Sequence, residues 1–260
     1  MESSDTSGFV LISVIMPTFN AIETVERAML SVQAQTYRHW ELWIVDDGSS
    51  DCTAQYVADC AQQDSRINLI RLSSNSGSPA TPRNEALTRA RGSYIAFLDA
   101  DDAWATHKLE RQLALMQQSK AALSCTGAVV VRDQGQACDV RVPPRQATYA
   151  SLLKQNTLIC SSVMVEGAAL GKRLFPVMGH EDYALWLEFA REGHSILGIA
   201  DSLTFYHISA NSISANKLKV LPYFWRIYRE REGFSRVRTL LLTLRYAWLA
   251  RKRAIKHIRA

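Results

Sequence analysis

The segment Tyr94–Trp104 constrains this chain more than any other part of its sequence. An apolar run, Tyr94–Leu98, leads directly into the carboxylates of Asp99, Asp101 and Asp102. Two carboxylates about 4 Å apart repel by roughly 4 kcal/mol at an effective dielectric constant of about 20. A fold accepts that cost where it binds a cation, and Mg²⁺ and Mn²⁺ often bridge carboxylates to phosphates. The segment therefore predicts a metal–diphosphate site; the alternative is an acidic loop whose aspartates cap a helix.

Short apolar runs alternate with amphipathic segments along the first hundred residues. The apolar runs predict strands at Ser13–Pro17, Trp40–Val45, Ile67–Leu72 and Tyr94–Leu98. The amphipathic segments predict helices at Glu23–Ala34, Thr53–Asp64 and Thr81–Ala90. Strands joined by helical crossovers form parallel sheets, so we expect an α/β fold: a mostly parallel, Rossmann-like sheet flanked by helices.

Polar clusters follow three of these strands, at Thr18-Phe19-Asn20, Asp46-Asp47 and Asp99–Asp102. Because ligands bind beyond the carboxyl ends of parallel strands, the clusters should converge on one crevice. The first strand leads into no G-x-G-x-x-G turn, which disfavours a dinucleotide site and favours a mononucleotide held partly through a metal. The Asp46-Asp47 pair could accept a hydrogen bond from a base, or could only begin a turn into a helix capped by Asp51.

In the second half of the chain, the sequence predicts a less regular alternation of strands and helices. We expect helices at Lys108–Ser119 and Glu181–Glu192, strands at Leu123–Val131 and Ser161–Glu166, and an exposed loop at Arg132–Arg145. From Leu218 the pattern is helical, interrupted at Gly233 and resuming through Arg259. This divides the chain into a flexible N-terminus (1–10), one α/β domain (11–216) and a C-terminal helical extension (217–260).

The charge of the chain is concentrated in that extension. Residues 223–260 carry 11 Lys and Arg against 2 Glu, a net charge of +9, whereas residues 1–222 carry −4. Aromatic residues are interleaved with the basic ones: Tyr223, Phe224, Trp225, Tyr228, Phe234, Tyr246 and Trp248. This pattern is typical of helices at an anionic membrane surface, although a helix packed on the domain with a solvated basic face is the alternative. Nucleic acid is disfavoured as a partner because the body is acidic.

The cysteines and the N-terminus point to the cytoplasm. Five cysteines without C-x-x-C spacing are expected to be reduced thiols and not a disulfide or zinc framework. The first residues lack a basic, apolar signal pattern, and no run approaches the roughly 20 apolar residues of a membrane span.

Several single residues are candidates for chemistry. Glu181 and Asp182 begin an amphipathic helix, where either could take a proton from a hydroxyl or could simply favour the helix N-terminus. Arg83 could pair with a nucleotide or with the acidic cluster, or be an exposed helix residue. His207 is a candidate metal or phosphate ligand, with a structural histidine as the alternative, and Lys108 is expected to be solvated or to cap a helix.

Five stretches together resemble glycosyltransferase family 2, the inverting enzymes with the GT-A fold. They occur in the family's order, cover about residues 12–215 and are Val14–Asn20, Ile44–Asp51, Arg83-Asn84, Phe97–Trp104 and Glu181–Trp186. The resemblance is to bacterial O-antigen- and capsule-type enzymes. The Gln-x-x-Arg-Trp motif of processive synthases is absent, which implies transfer of a single sugar. Many relatives read Tyr-Arg-x-His near the last strand, whereas here Ser209 stands at the usual histidine position.

The resemblance implies a role for each matching residue. The nucleotide-sugar donor, most often a UDP-sugar, would be bound by Pro17, Thr18, Asn20, Asp46, Asp47, Arg83, Asp99, Ala100 and Asp101. Asp101 would coordinate Mn²⁺ or Mg²⁺, with His207 as a second candidate ligand, and Asp182 would be the general base. Residues that contact or support the acceptor would be Asp102, Trp104, Glu181 and Trp186. Residues 11–102 would then form the nucleotide-binding half of the domain and 103–216 the acceptor-binding half.

The expected protein is thus a metal-dependent glycosyltransferase with a lipid-linked saccharide acceptor, peripheral at the cytoplasmic face of the plasma membrane. A nucleotidyltransferase is the first alternative, although the chain lacks a glycine-rich phosphate loop near its first strand. A non-catalytic module that binds nucleotides or membranes is the second.

Overall fold

The computed structural model describes residues 10–132, 136–208 and 220–258. The strands are β1 (Ile12–Thr18), β2 (Trp40–Asp46), β3 (Ile67–Arg71), β4 (Tyr94–Phe97), β5 (Ala103–Trp104), β6 (Leu123–Arg132), β7 (Ala137–Arg141), β8 (Gln146–Ala147), β9 (Met164–Glu166) and β10 (Ile196–Ile208). The α-helices are α1 (Val25–Gln33), α2 (Thr53–Gln63), α3 (Ala80–Leu87), α4 (Lys108–Ser119), α5 (Tyr149–Lys154), α6 (Gly167–Leu170), α7 (Glu181–Arg191), α8 (Leu221–Arg226) and α9 (Arg236–Ile258).

The ten strands of the described residues belong to one sheet. Its order is β3-β2-β1-β4-β9-β6-β10-β5, with β7 paired to β6 and β8 paired to β10. Strands β1 to β4 are parallel, as predicted from their helical crossovers. Beyond β4 the sheet is mixed, because β9 runs antiparallel to both β4 and β6 while β6 and β10 are parallel. The α/β class is confirmed, and the antiparallel additions are features that the sequence did not predict.

Hydrophobic cores cover both faces of the sheet. Successive side chains of a strand point to opposite faces, so Val14 and Met16 lie in one core and Ile15 lies in the other. Helices α1, α2 and α4 supply the buried residues that pack around Val14. Helices α3, α7 and α8 supply those around Ile15. The sheet is therefore sandwiched between helices, which leaves its carboxyl-terminal edge free for a site.

The predicted loop at Arg132–Arg145 is wrong in part, because Ala137–Arg141 form β7 on the edge of β6. A short edge strand whose residues are all exposed or half-buried, followed by Pro143-Pro144, has the composition of a loop. The predicted strand at Ser161–Glu166 is also shorter, since Cys160–Ser162 form a 3₁₀ turn before β9.

Lys108 is fully buried, not solvated as predicted. Its amine lies 4.0 Å from the centroid of the Trp104 ring and donates to Gln112 Oε1 at 2.6 Å. Burial lowers the pKa of Lys108 to about 7. Gln112 in turn donates to the carbonyl of Ser162 at 3.1 Å, so α4 is tied to the 3₁₀ turn beneath the acidic segment.

The C-terminal extension is helical on both sides of Gly233, as predicted. Helix α8 continues into a π-helical turn, Ile227–Arg231, and Gly233 has a φ of +66° before α9 begins. In the described part of the chain, no helix is long and apolar enough to cross a membrane. The predicted boundary at 216/217 and nearly all of the predicted flexible segment 1–10 lie outside the described residues.

Candidate active site

Three adjoining cavities lie along the carboxyl-terminal edge of the sheet. Cavity A, about 570 Å³, is bordered by the ends of β1 and β4. Cavity B, about 830 Å³, extends from there to the start of α7. Cavity C, about 390 Å³, continues past α7 toward β7 and α9. The polar clusters of the sequence therefore meet in one crevice, as parallel strands require.

Cavity A contains most of the residues predicted to bind a nucleotide-sugar. They are Pro17, Thr18, Asn20, Asp47, Arg83, Asp99, Ala100 and Asp101. Asp46 is the exception, because it is 1% exposed and does not line the cavity. One carboxylate oxygen of Asp46 accepts the Ser49 N–H at 3.2 Å, and the other is buried without a hydrogen-bond partner.

Asp47 holds the loop that closes one side of cavity A. It accepts the backbone N–H of Ser76 at 3.0 Å and the Ser76 hydroxyl at 2.9 Å. The loop approaches so closely that a Cβ on Gly48 would lie 2.7 Å from the Asn75 nitrogen, and Gly48 also has a φ of +73°. Only glycine fits both conditions without strain. The sequence alone did not indicate a partnership between Asp47 and Ser76.

Arg83 is a buried cation between two carboxylates. Its guanidinium donates to Asp99 Oδ1 at 2.5 Å and to Glu181 Oε1. Burial alone would lower the pKa of Arg83, but the negative charges of Asp99 and Glu181 raise it well above its ordinary value. The alternative of an exposed helix arginine is therefore wrong. Arg83 joins the end of β4 to the start of α7, across the crevice.

The three aspartates after β4 have different environments. Asp102 is fully buried and accepts the Ser161 hydroxyl and, at 2.8 Å, the backbone N–H of His207. Burial first, and then the charges of Asp101 and Asp99, raise the pKa of Asp102 well above its ordinary value. Asp102 thus fastens the acidic segment to the end of β10 and does not face the crevice.

Asp101 lies at the rim, where it lines both cavity A and cavity B. Loss of hydration, and then the charge of Asp99, raise the pKa of Asp101 to about 6. The backbone carbonyl of Asp101 accepts the Arg27 guanidinium at 2.5 Å. An accessible carboxylate beside a second one, Asp99, offers the hard oxygen ligands that Mg²⁺ and Mn²⁺ prefer.

His207 and Trp104 line none of the three cavities. His207 is half-buried, and its Nδ1 lies 3.2 Å from the Phe205 carbonyl. Trp104 is 4% exposed and donates its indole N–H to the Ser161 carbonyl at 2.7 Å. Ser161 therefore hydrogen-bonds to both Asp102 and Trp104 of the acidic segment. The sequence did not indicate this role for Ser161. Among the described residues, no group of three or more His, Cys, Asp or Glu side chains is arranged to hold a metal by itself.

Glu181 and Asp182 occupy the first turn of α7 but face different partners. Glu181 is buried against Arg83. Asp182 lines both cavity B and cavity C, as do Asp99, Cys160 and His180. Burial raises the pKa of Asp182, while the positive charge of Arg83 opposes that shift. A carboxylate with a raised pKa in a cleft has the properties of a general base.

Two aromatic residues near α7 differ from expectation. Trp186 is fully buried, with its ring centroid 5.8 Å from Phe97 and 5.9 Å from Phe175. It cannot contact an acceptor, and only a supporting role remains. His180, which the sequence did not indicate, lines cavities B and C and has a buried Nε2 without a hydrogen-bond partner. His180 is the N-cap residue of α7 and has a left-handed backbone, with a φ of +58°.

Comparison with known families decides what kind of enzyme carries this crevice. The sequence model described as "Glycosyl transferase family 2" matches residues 13–171. The chain belongs to glycosyl transferase family 2. It is therefore a glycosyltransferase, and the two alternatives, a nucleotidyltransferase and a non-catalytic binding module, are excluded.

Family-2 relatives of similar length align with nearly the whole chain. The glycosyltransferase TuaG of Bacillus subtilis (strain 168), named for teichuronic acid biosynthesis, is 37% identical over 95% of this chain and 96% of its own length. WfgD of Escherichia coli is 36% identical over 84% of this chain and 85% of its own length. Its name is UDP-Glc:α-D-GlcNAc-diphosphoundecaprenol β-1,3-glucosyltransferase.

Two solved structures share the GT-A fold of this chain. TarS of S. aureus in complex with UDP-GlcNAc has a TM-score of 0.72 and 19% identity, covering 89% of this chain and 70% of TarS. The mannosyltransferase PcManGT of Pyrobaculum calidifontis, in complex with GDP-Man and Mn²⁺, has a TM-score of 0.68 and 19% identity. That match covers 86% of this chain and 65% of PcManGT. These likenesses establish the architecture of the chain.

Proposed function

We propose that this enzyme transfers one sugar from a UDP-sugar to a hydroxyl of a lipid-linked saccharide, with inversion, in the synthesis of a surface polysaccharide such as O-antigen or capsule. The observation that carries the proposal is the position of Asp182. Asp182 lines cavity B together with Asp101, and it also lines cavity C, which Asp101 does not reach. A donor on one side and an acceptor on the other would meet at this carboxylate. The substrates in the name of WfgD support the same choice.

The donor would lie in cavity A and extend into cavity B. Asp47 and Thr18 would border the nucleotide base, Asp99 would approach the ribose, and Arg83 would lie beside the nucleotide. Asp46, which does not reach the cavity, would support the turn through its bond to Ser49. In this assignment residues 11–102 form the nucleotide-binding half of the domain, as the resemblance implied.

A divalent cation, Mn²⁺ or Mg²⁺, would be held by Asp101, with His207 as the second candidate ligand. The residues fit such an ion, because Asp101 presents an accessible carboxylate and diphosphate oxygens and waters commonly complete the coordination of Mg²⁺. When bound, the metal would neutralise negative charge on the leaving nucleoside diphosphate. PcManGT, whose structure contains Mn²⁺, supports this assignment.

Asp182 would act as the base and Glu181 as a positioning residue. Glu181 is engaged by Arg83, so its carboxylate is already neutralised by a buried cation. Asp182 would accept the proton of the acceptor hydroxyl as that oxygen attacks the anomeric carbon. The bond to the leaving diphosphate breaks on the opposite face, which inverts the configuration in one displacement without a covalent enzyme intermediate.

The proposal is tested by turnover of nucleotide sugars with and without metal. The purified chain is incubated with UDP-glucose, UDP-galactose and UDP-N-acetylglucosamine plus alkyl diphosphate-linked N-acetylglucosamine, and released UDP is measured. We expect release with Mn²⁺ or Mg²⁺, abolition by EDTA, and a loss of at least about 100-fold in Asp101→Asn, since a catalytic metal supplies several kcal/mol. Asp201→Asn, at an exposed salt bridge with Arg111, is the matched control. Turnover that is insensitive to EDTA and to Asp101→Asn would contradict the metal assignment.

The exposed face of α9 supports a position at the cytoplasmic surface of the membrane. Val237, Leu241, Leu244 and Trp248 are 71%, 63%, 57% and 54% exposed and follow helical spacing. Thr239 and Thr243, on the opposite side of the helix, are 0% and 8% exposed. An apolar stripe on a helix rich in arginine matches an anionic lipid surface, where the charge and the buried apolar area both favour binding.

Replacing Leu241 and Leu244 with Glu should weaken binding to vesicles containing phosphatidylglycerol by at least about tenfold. Burial of one leucine side chain is worth about 1.5–3 kcal/mol, and two added carboxylates are repelled by anionic lipid. Vesicle flotation measures the effect. Leu30→Glu, at a leucine of similar exposure on α1, is the control and should bind as the unmodified chain does. Equal flotation of all three proteins would remove the membrane assignment of α9.

A further inference from the structure

Cavity C has a wall that the proposed chemistry does not use. Asp182 lies at one end, and β7 contributes Arg141. Resting on the proposed function, we infer that cavity C binds the anionic phosphate group next to the acceptor sugar, and that Arg141 is the residue that recognises it. This assigns a charge-specific acceptor subsite to β7, the strand that the sequence predicted as a loop.

Arg141 is placed as a cation without a neutralising partner. Its guanidinium carbon lies 5.2 Å from the centroid of the Tyr206 ring, and the residue is half-buried. Over the described ranges, no carboxylate forms an ion pair with it. A cation–π contact holds a guanidinium near the face of the ring while leaving its N–H groups available. Such a fork suits two oxygens of a phosphate.

Binding of an anion in cavity C should depend on Arg141, because the other charged residues of the cavity are acidic. Its other charged lining residues are Asp99, Asp139 and Asp182. Arg83 pairs with Asp99 and with Glu181, but Arg83 does not itself line cavity C. A phosphate would therefore be repelled by this wall if Arg141 were absent, because like charges interact strongly where water is partly excluded. Removal of Arg141 should consequently cause a large loss of affinity for the phosphate.

The position of cavity C also suits a lipid-linked molecule. Tyr246 of α9 lines the cavity, whereas the apolar stripe Val237–Trp248 lies on the far side of the same helix. An α-helix with its side chains is about 10 Å across. In this arrangement the acceptor would place its sugar at Asp182 and its phosphate at Arg141. Its lipid chain would then pass α9 toward the membrane face.

The test compares two probes that differ only in the diphosphate group: N-acetylglucosamine linked to an alkyl chain through a diphosphate, and the same alkyl glycoside without phosphate. Binding is measured by calorimetry with UDP and Mg²⁺ at saturation, so that the donor cavity is filled. The unmodified chain should bind the diphosphate probe at least about tenfold more tightly than the uncharged probe. Arg141→Met should abolish that preference, and Arg141→Lys should retain part of it. Arg145→Met, at an exposed arginine outside the cavity, should retain all of it.

The inference is overturned if the unmodified chain shows no preference, or if Arg141→Met keeps it. Arg141→Met must bind UDP as tightly as the unmodified chain; if it does not, Arg141→Gln replaces it in the comparison. Because these titrations need no sugar transfer, their failure is distinct from failure of the proposed function. Turnover that persists together with an unchanged preference in Arg141→Met would reject this subsite alone.

Discussion

Asp182→Asn is expected to lower the rate of sugar transfer by at least about 10³-fold while UDP binding changes by less than about twofold. Asparagine has the shape of aspartate but cannot accept the proton of the attacking hydroxyl, and general-base catalysis contributes about 10²–10⁴-fold. Donor binding should survive because Asp182 borders cavities B and C and not cavity A. Initial rates of transfer and a UDP titration of the same preparation measure the two quantities.

Glu181→Gln is the informative comparison for Asp182→Asn. Glu181 neighbours Asp182 in the chain but is paired with Arg83, so its substitution should disturb stability and donor binding as well as the rate. Asp182→Asn should disturb the rate alone. If Asp182→Asn retained more than about a tenth of the transfer rate, or if Glu181→Gln gave the purer loss of rate, the two roles would have to be exchanged.

The sequence predicted the first half of the fold well because strong local signals agree there. Each apolar run after Ser13 is bounded by a helical segment or a polar cluster, and helix Lys108–Ser119 was predicted with its observed bounds. The second half depends on contacts between distant segments. Strand β7 exists because β6 offers it an edge, and β9 exists because it fills the gap between β4 and β6.

The same difference between local signals and distant contacts explains which site residues could be predicted from the sequence. Residues at the ends of β1 and β4 could be placed in one crevice because parallel strands end at one edge. Residue types alone could not separate Asp46 from Asp47, or Asp101 from Asp102, since burial decides which carboxylate reaches the cavity. Arg141, Ser161 and His180 gave no sequence signal. They acquire their positions only when β7, the 3₁₀ turn and α7 meet the acidic segment.

Arg83→Met is expected to destabilise the fold by about 3–5 kcal/mol at neutral pH, because removing one partner of a buried ion pair leaves uncompensated charge behind. Asp99 and Glu181 would lose their shared cation, and Asp182 would lose the positive charge that opposes its desolvation. Urea unfolding measures the cost. Arg89→Met removes a guanidinium from an exposed pair with Glu85 and should cost less than about 1 kcal/mol.

The pH dependence identifies the cause of the Arg83→Met effect. Burial raises the pKa values of Glu181 and Asp182, and loss of Arg83 removes the positive charge that opposes this shift. Their destabilising effect is then present at neutral pH and disappears as the pH falls through the folded-state pKa, since the folded protein binds the protons more tightly. The difference in unfolding free energy between the unmodified chain and Arg83→Met should therefore be smaller at pH 5 than at pH 7. A cost that stays constant over this range would indicate lost packing against Phe175, whose ring centroid lies 5.4 Å from the guanidinium, and not lost charge.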